Sequence, residues 1–556
     1  MFLQRLVEYA ERPGFDSPPD SYAETPIRYL IELDADGRLL KPSLTDTADA
    51  SQRELRRGLR YLAPAVRRTS AVKALLLVDN ATYVLGRAKD DTSGSDERAR
   101  ACRQAFYELV ADCAQSTGDP GVRAVASFLE GQGSAQIVLE DDFDGTANIS
   151  FSVAGQLPFE RREVQRYWAD RNETQENVMQ CLVCGQIRPA QARLQRAIKG
   201  IPGGQPSGTA IISANESAFE SYGLEASLIA PICGACAERS HLALNRLLRD
   251  EAHHLIVGKS AFVFWTREAT EFSFLEMIAQ PQPDDVRQLL LSVYGRRAGP
   301  VEANRFYAAA LGANGGRVQV RTWLDTPLEE AQRNLARWFV RQRIVGRWGE
   351  EPRPLGIRSL AAATVRELGD VPAQTVQSLL LAAVGGRPLP SGLAYQVVQR
   401  TRAEQTVQPH HAAMLKLALC SQQPDQEEPM TQLDLSNTHP AYLCGRLLAE
   451  LEQAQFAASP NVRASIVDRY YGTACTAPAT VFGTLIQNAQ PHLAKLQRDR
   501  PGAYAGIQRT LEEILAALGG FPRTLSLNDQ SLFALGYYHQ RAHNRAQAIA
   551  YKEAQS

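Results

Sequence analysis

The chain reads as an α+β protein: an N-terminal mixed domain over residues 1–350, with a mainly antiparallel sheet and a loop insertion pinned by zinc, followed by a C-terminal all-α helical bundle over residues 351–556. Three observations predict this. Strand-like alternation of apolar and polar residues is confined to the first 350 residues. Long stretches of 3.6-residue periodicity fill the remainder. Two C-x-x-C pairs bracket the almost uncharged segment "IKGIPGGQPSGTAIISANESAF". A length of 556 residues also exceeds a single core, since domains run to about 100–200 residues.

In chain order, "MFLQRLVEYAER" is an amphipathic helix and not a secretory leader, because charges interrupt its apolar face. "PIRYLIELDADGRLL" alternates into an Asp-Gly turn and predicts a hairpin, and "VKALLLVDNATYVLG" predicts a second strand pair joined at Asp79-Asn80. Between them "SQRELRRGLRYL" reads as a helix. Helical sequence from Glu97 to Glu130 breaks at "STGDPG", and "QIVLEDD" and "TANISFSVAG" return to strands. Helices follow through "FERREVQRYWADR" and, after the cysteines, "ERSHLALNRLLRDE"; "AFVFWTRE" and "RVQVRTWLD" are strands, the latter feeding a helix to about Val345. Gly, Pro and charge cluster in "GRWGEEPRPLGI", the expected linker before helices such as "AYLCGRLLAELEQAQFAA" and "IQRTLEEILAALGGF".

Composition excludes little. Lys plus Arg number 60 against 61 Asp plus Glu, so net charge points to no partner. No apolar run approaches the about 18 residues of a bilayer span, which predicts a cytoplasmic protein without a membrane. Five cysteines, Cys102, Cys113, Cys420, Cys444 and Cys475, are scattered as buried free thiols.

The other four follow a rule. Cys181-Leu-Val-Cys184-Gly and Cys233-Gly-Ala-Cys236 each hold two thiols in one turn, and two such turns complete the tetrahedron that zinc prefers. Four cysteine ligands leave no open position, so the expected zinc is structural. The segment between the pairs places Lys199, Gln205, Ser207, Thr209, Ser213, Asn215 and Ser217 among glycines, a composition suited to close backbone approach and to reading hydrogen-bonding edges, as well as to a surface loop. Basic stripes could track phosphates: Arg53, Arg56, Arg57 and Arg60 on one expected helical face, Arg67, Arg68 and Lys73 after it, and Arg333, Arg337 and Arg341 at i, i+4, i+8 with Trp338 and Phe339 interleaved. The alternative for each stripe is a solvated helix face. Catalytic motifs are absent: "VGKS" at Val257 to Ser260 has His253 where a phosphate loop needs glycine, which leaves Lys259 as a basic residue at a strand start.

Several stretches resemble the large subunit of the subtype I-C CRISPR interference complex, Cascade: "IRYLIELDADGRLL", "RRTSAVKALLLVDNATYVLG", "CLVCG" running into "IKGIPGGQPSGTAIISANESAFESYG", "LNRLL", "FVFW", "NLARWFV" and "PAYLCGRLLAELEQAQ". The resemblance implies a non-catalytic subunit that inspects the protospacer-adjacent motif on duplex DNA and starts strand separation, while guide RNA reads the rest of the target. Implied partners are backbone subunits carrying CRISPR RNA, a subunit binding the repeat-end handle, helical small subunits, target duplex DNA and a recruited helicase-nuclease. On this reading Gln205, Ser207 and Asn215 face base edges, and Lys199, Arg67, Arg68, Lys73 and Lys259 lie nearer phosphates. Many relatives carry C-L-V-T-G where this chain has Cys181-Leu-Val-Cys184-Gly, so the zinc is argued from this sequence alone. The family also makes a small helical subunit from an internal start; Met430 is the candidate here, marking residues 430–556. Two other functions stay open, a metal-dependent nuclease and a zinc-stabilised protein-interaction scaffold.

Overall fold

Strands do form in the first third of the chain, but shorter and differently paired than alternation alone implies. The computed structural model describes residues 1–15, 19, 21–49, 51–52, 55–66, 72–88, 95–172, 176–194, 196–294, 304–422, 430–460 and 465–554. They form two compact units, the first comprising Met1–Ile198 and Ala210–Asn245, the second Lys199–Thr209 and Arg246–Ser556.

Unit 1 opens with helix α1 (Phe2–Ala10) and strands β1 (Tyr22–Ile27), β2 (Tyr29–Leu33), β3 (Thr45–Asp46), β4 (Leu59–Pro64) and β5 (Val78–Asp79). Helices α2 (Ala81–Val84), α3 (Ser95–Thr117) and α4 (Pro120–Glu130), strand β6 (Ile149–Val153) and helix α5 (Arg162–Asn172) follow. β1 pairs with β4, and a four-stranded sheet runs β3-β2-β6-β5, antiparallel except for β2 against β6. Phe106 and Val110 of α3, Phe128 of α4, Phe151 of β6 and Trp168 of α5 meet in its core. The break between α3 and α4 has the expected chemistry: Asp119 accepts from the Val122 amide at 2.9 Å, and Pro120 occupies the first turn.

Four local expectations give way to capping and close approach. Among the described residues of 51–62 there is no helix; Leu55–Arg57 form a turn and the chain then enters β4. Gly58, at φ +94°, explains why, since a Cβ there would lie 2.4 Å from Ile27 O, so this position is reserved for an extended crossing of β1. Arg56, Arg57 and Arg60 are exposed but share no helical face, and Arg53 lies outside the described residues. The expected second strand pair is a two-residue strand followed by a helix, because the Asn80 side chain accepts from the Thr82 amide at 3.1 Å and caps α2. The Asp34–Gly37 turn forms, with Asp34 Oδ1 accepting from the Arg38 amide at 2.8 Å, yet its return arm contributes only the bridge Leu33–Leu39. "QIVLEDD" likewise supplies a single bridge, Ser43–Val138, and no strand.

The cysteine region adds β7 (Val178–Gln180), β8 (Ile187–Pro189) and α6 (Gly234–Arg249). Unit 2 then forms an antiparallel meander of β9 (His254–Val257), β10 (Ser260–Thr266), β11 (Arg305–Asn314) and β12 (Arg317–Pro327), interrupted by α7 (Phe274–Ala279) and α8 (Pro283–Tyr294). Its helices are α9 (Leu328–Gln342), α10 (Ile357–Ala362), α11 (Ala373–Gly385), α12 (Ser391–Glu404), α13 (Pro409–Gln422), α14 (Pro440–Ala458), α15 (Ile466–Thr476), α16 (Pro478–Asp499), α17 (Pro501–Ala517) and α18 (Leu527–Glu553). The fold is therefore α+β with a helical C-terminal region, as expected. No described helix is long and apolar enough to cross a membrane.

The units divide the chain elsewhere than at residue 350. Phe262 and Phe264 of β10 and Leu335 and Phe339 of α9 belong to one apolar cluster with Leu360, Leu379, Met414 and Leu447. Sheet and bundle thus share a core. The Gly- and Pro-rich run between them is tied down, with Leu355 N donating to Gln342 Oε1 at 2.8 Å and Gly346 N to Glu350 O at 2.9 Å. Met430, the candidate internal start, packs partly buried against that same cluster.

Candidate metal centre and nucleic-acid interface

The metal centre lies in unit 1. β7 and β8 pair antiparallel with Gln180 opposite Ile187, so the six residues Cys181–Gln186 form the hairpin loop. Within it Cys181 N donates to Gln186 O and Gly185 N to Cys181 O, each at 2.8 Å, and Gly185 takes φ +74°. That turn aims two thiols the same way. Ala190 bridges Cys233, which places the second pair at the start of α6, with Cys236 in its first turn. The four sulfurs lie within 4.8 Å of one another, and tetrahedral zinc with bonds of about 2.3 Å separates its sulfurs by about 3.8 Å.

The surroundings also suit thiolates. Cys233 N donates to Cys181 Sγ at 3.4 Å, one of the amide contacts that support charge on sulfur. The Cys236 thiol and amide donate toward Cys233 and hold it low, at about 5, against the opposing effect of burial. Cys181, Cys233 and Cys236 are buried and Cys184 is exposed. Val7 of α1, Val183, Leu194, Ile232 and Ala237 pack around the sulfurs, a small apolar shell for so long an insertion. His241, one turn into α6 from Cys236, is not a ligand: its Nδ1 meets Ala237 O at 2.7 Å, and burial lowers it to about 4. The residues fit a structural four-thiolate ion. Among the described residues this is the one group of three or more His, Cys, Asp or Glu able to share a metal.

The segment between the cysteine pairs is divided. Lys199–Thr209 packs with unit 2 and Ala210 onward with unit 1. In unit 2 its course is set by buried Ile201 and Thr209, by Gly204 N donating to Ile201 O at 3.1 Å and by Gly208 N donating to Gln205 O at 2.8 Å. It meets the β11–β12 hairpin, since a Cβ on Gly204 would lie 3.5 Å from Ala313 Cβ and one on Gly316 3.6 Å from the Gln205 amide group. The meander puts the β9–β10 turn, Gly258–Lys259, at the same end of the sheet as Gly315–Gly316. Lys199, Gln205, Ser207 and Lys259 are all exposed in unit 2.

The remaining expected site residues are placed apart from this group. Asn215 and Lys73 are exposed in unit 1, and Asn215 is followed directly by Glu216. Arg67 and Arg68 lie outside the described residues. On α9, Arg333 and Arg337 are exposed, and Arg333 lies 3.6 Å from Glu329. Trp338 and Phe339 are buried in the core, not interleaved with the arginines at the surface. Sequence alone does not point to Arg317 and Arg321 of β12, because β11, with its four alanines, carries no obvious strand signal.

The fold and the four-thiol site define a two-unit α+β protein with four cysteines placed to hold one metal ion. The family model described as CRISPR-associated protein (Cas_Csd1) matches residues 4–544. With almost its full length covered, the chain belongs to this family and is a CRISPR-associated protein of the Cascade type. The search of curated proteins returned no match.

Proposed function

We propose that this chain is the large subunit of a subtype I-C interference complex, and that it recognises the protospacer-adjacent motif on duplex DNA without cutting it. The observation that carries the reading is the Lys199–Thr209 segment seated at the hairpin end of the unit 2 sheet, with exposed Gln205, Ser207 and Lys259 and no carboxylate within the segment. Uncharged amides and hydroxyls on a constrained, glycine-rich backbone can pair with base edges, while lysines neutralise phosphates. In this reading Asn215 is also a base-edge reader, and Lys73, Arg67 and Arg68 lie nearer phosphates. Zinc at the four thiols is structural, because four protein ligands complete its preferred coordination. Strand opening, support of the R-loop, pairing with CRISPR RNA-bearing subunits and recruitment of a helicase-nuclease belong to this reading, as does a separately translated 430–556 fragment.

The test is duplex binding by the complex assembled on the full chain. Gln205→Ala is expected to cut discrimination between correct and incorrect motifs by about 1–3 kcal/mol, and Lys259→Ala to weaken all duplexes alike. Equal weakening of both motifs by Gln205→Ala removes its reading role. Incubating the purified complex with Mg²⁺ or Mn²⁺ and labelled duplex tests the nuclease alternative; cleavage abolished by a point substitution establishes an enzyme.

A further inference from the structure

Arg321 sits at an irregularity of the unit 2 sheet. Ala310 pairs with Thr322 but Leu311 pairs with Val320, so Arg321 is the extra residue of a β-bulge on the edge strand β12. Bulges re-aim a side chain, and here the guanidinium is turned back across β11. A Cβ on Gly312 would lie 2.5 Å from both Cζ and Nε of Arg321, so the group lies flat on that glycine. On the far side Nη1 donates to Ser260 Oγ at 2.8 Å, and Ser260 is paired with Gly312 and is 1% exposed. Three unrelated features, a bulge, a glycine and a buried hydroxyl, therefore hold one exposed arginine in one orientation.

Nothing negative answers it. Arg321 makes no ion pair among the described residues, and its Nε–Nη2 edge, two parallel donors, makes no hydrogen bond there. Within the strands β9, β10, β11 and β12, the β9–β10 and β11–β12 turns and the Lys199–Thr209 segment, the sequence has one carboxylate, Asp325, which Arg305 engages at 2.5 Å. Against it stand Lys199, Lys259, Arg305, Arg317 and Arg321. A planar fork fixed at Nη1, with no hydrogen-bond partner on its Nε–Nη2 edge among the described residues, matches two oxygens of a phosphodiester.

We infer that Arg321, positioned by Gly312 and Ser260, is a backbone-phosphate clamp for the DNA duplex that the Lys199–Thr209 segment reads. The inference rests on the nucleic-acid reading proposed above and adds a residue and a contact type to it. Phosphate contacts fix register on the duplex, so a rigid arginine at the hairpin end sets where Gln205 and Ser207 meet the bases.

The experiment measures affinity of the assembled, full-chain complex for motif-correct and motif-incorrect duplexes across a salt series. Arg321→Ala is expected to weaken both duplexes about 10-fold and to make the salt slope shallower by about one. Arg321→Lys keeps the charge and the slope but recovers only part of the affinity, because it lacks the fork. Gly312→Ala keeps the arginine but displaces it, and is expected to reproduce the loss of Arg321→Ala. Unchanged affinity and slope in Arg321→Ala, with Gln205 and Lys259 variants still impaired, overturns the clamp and leaves the motif-reading role standing. Loss confined to the motif-correct duplex assigns Arg321 to a base edge and overturns the phosphate assignment. Reduced guide RNA content in the Arg321→Ala complex assigns the phosphate to RNA and likewise overturns it. No duplex binding by the wild-type complex removes the motif-reading role itself, and the clamp with it.

Discussion

Gly445→Ala is expected to be among the most damaging single-methyl changes in unit 2. Helices α14 and α18 cross with their backbones in contact: a Cβ on Gly445 would lie 2.0 Å from Phe533 O and 2.7 Å from Tyr537 N, and one on Gly536 2.2 Å from Tyr442 O. Restoring ordinary contact requires the helices to part by about 1–1.5 Å. The polar seam beside the crossing cannot follow. Arg446 Nε donates to Gln540 Oε1 at 2.9 Å, Gln540 Nε2 and Asn544 Nδ2 donate to Glu450 Oε1 at 2.8 and 2.7 Å, and Tyr537 OH donates to Glu452 Oε2 at 2.9 Å. Overpacking alone costs about 1–3 kcal/mol, and a stretched hydrogen bond to a buried charge about 1.5–3 kcal/mol, so a loss of about 3–5 kcal/mol is expected. Denaturant unfolding of the full chain, with hydrogen exchange of the α14 and α18 amides, reads it. Gly483→Ala on α16 is the control: it is exposed, nothing lies within 4 Å of its Cβ, and helix propensity predicts a gain of about 0.5–1 kcal/mol. Because Gly445 and Gly536 serve the same approach, the double substitution should cost less than the sum. A Gly445→Ala effect within about 0.5 kcal/mol of wild type, or full additivity, refutes the crossing as the source of stability.

Further outcomes follow from the metal centre and the buried seam. The purified chain should carry one tightly held zinc by elemental analysis; Cys181→Ser or Cys233→Ser should release it and remove hydrogen-exchange protection over 176–245, since the apparent binding free energy of such sites is about 10–16 kcal/mol and the local apolar shell is small. Burial raises Glu450 to about 7, so between the unfolded value near 4.5 and 7 the folded state binds the extra proton, and stability falls as pH rises through that window. Glu450→Gln should flatten this fall, by at most about 3 kcal/mol between pH 4.5 and 7; an identical pH profile in the variant shows that Glu450 is ionised throughout. His539 acts in the opposite sense: burial lowers it to about 3, so its contribution is present above about 6.5 and is lost as pH falls toward 3.

How much of this was legible in the sequence depended on how local the cause was. Spacing alone identified Cys181, Cys184, Cys233 and Cys236, because thiols two residues apart need only one turn to converge. Periodicity identified α3, α4, α9 and the helices after residue 357, each long enough for a continuous apolar face. It failed at Ser51–Leu62, where the arginines sit at helical spacing but Gly58 answers to the backbone of Ile27 at the end of β1, thirty-one residues earlier in the chain. It failed again at Asp79-Asn80, where a turn signal and a helix cap use the same residue type. The linker at Gly346–Ile357 has the composition of a boundary, yet whether such a run separates two cores or ties two layers of one core depends on what flanks it. The two glycines on α14 and α18 and the bulge at Arg321 are invisible without a partner strand or helix, because each is defined by what would collide with it.

Helix α6 starts at the thiols in unit 1, and its last residues, from Arg246, belong to unit 2. Cys236 occupies the first turn of this helix, Asn245 near its end donates to Ala197 O at 3.0 Å within unit 1, and a Cβ on Gly200 would lie 3.8 Å from Leu248 Cβ within unit 2. Within unit 1, the helix that carries Cys236 therefore also braces Ala197. A metal ion held by the four thiols would join the β7–β8 hairpin to the start of α6, across a sequence separation that only a small apolar cluster otherwise bridges.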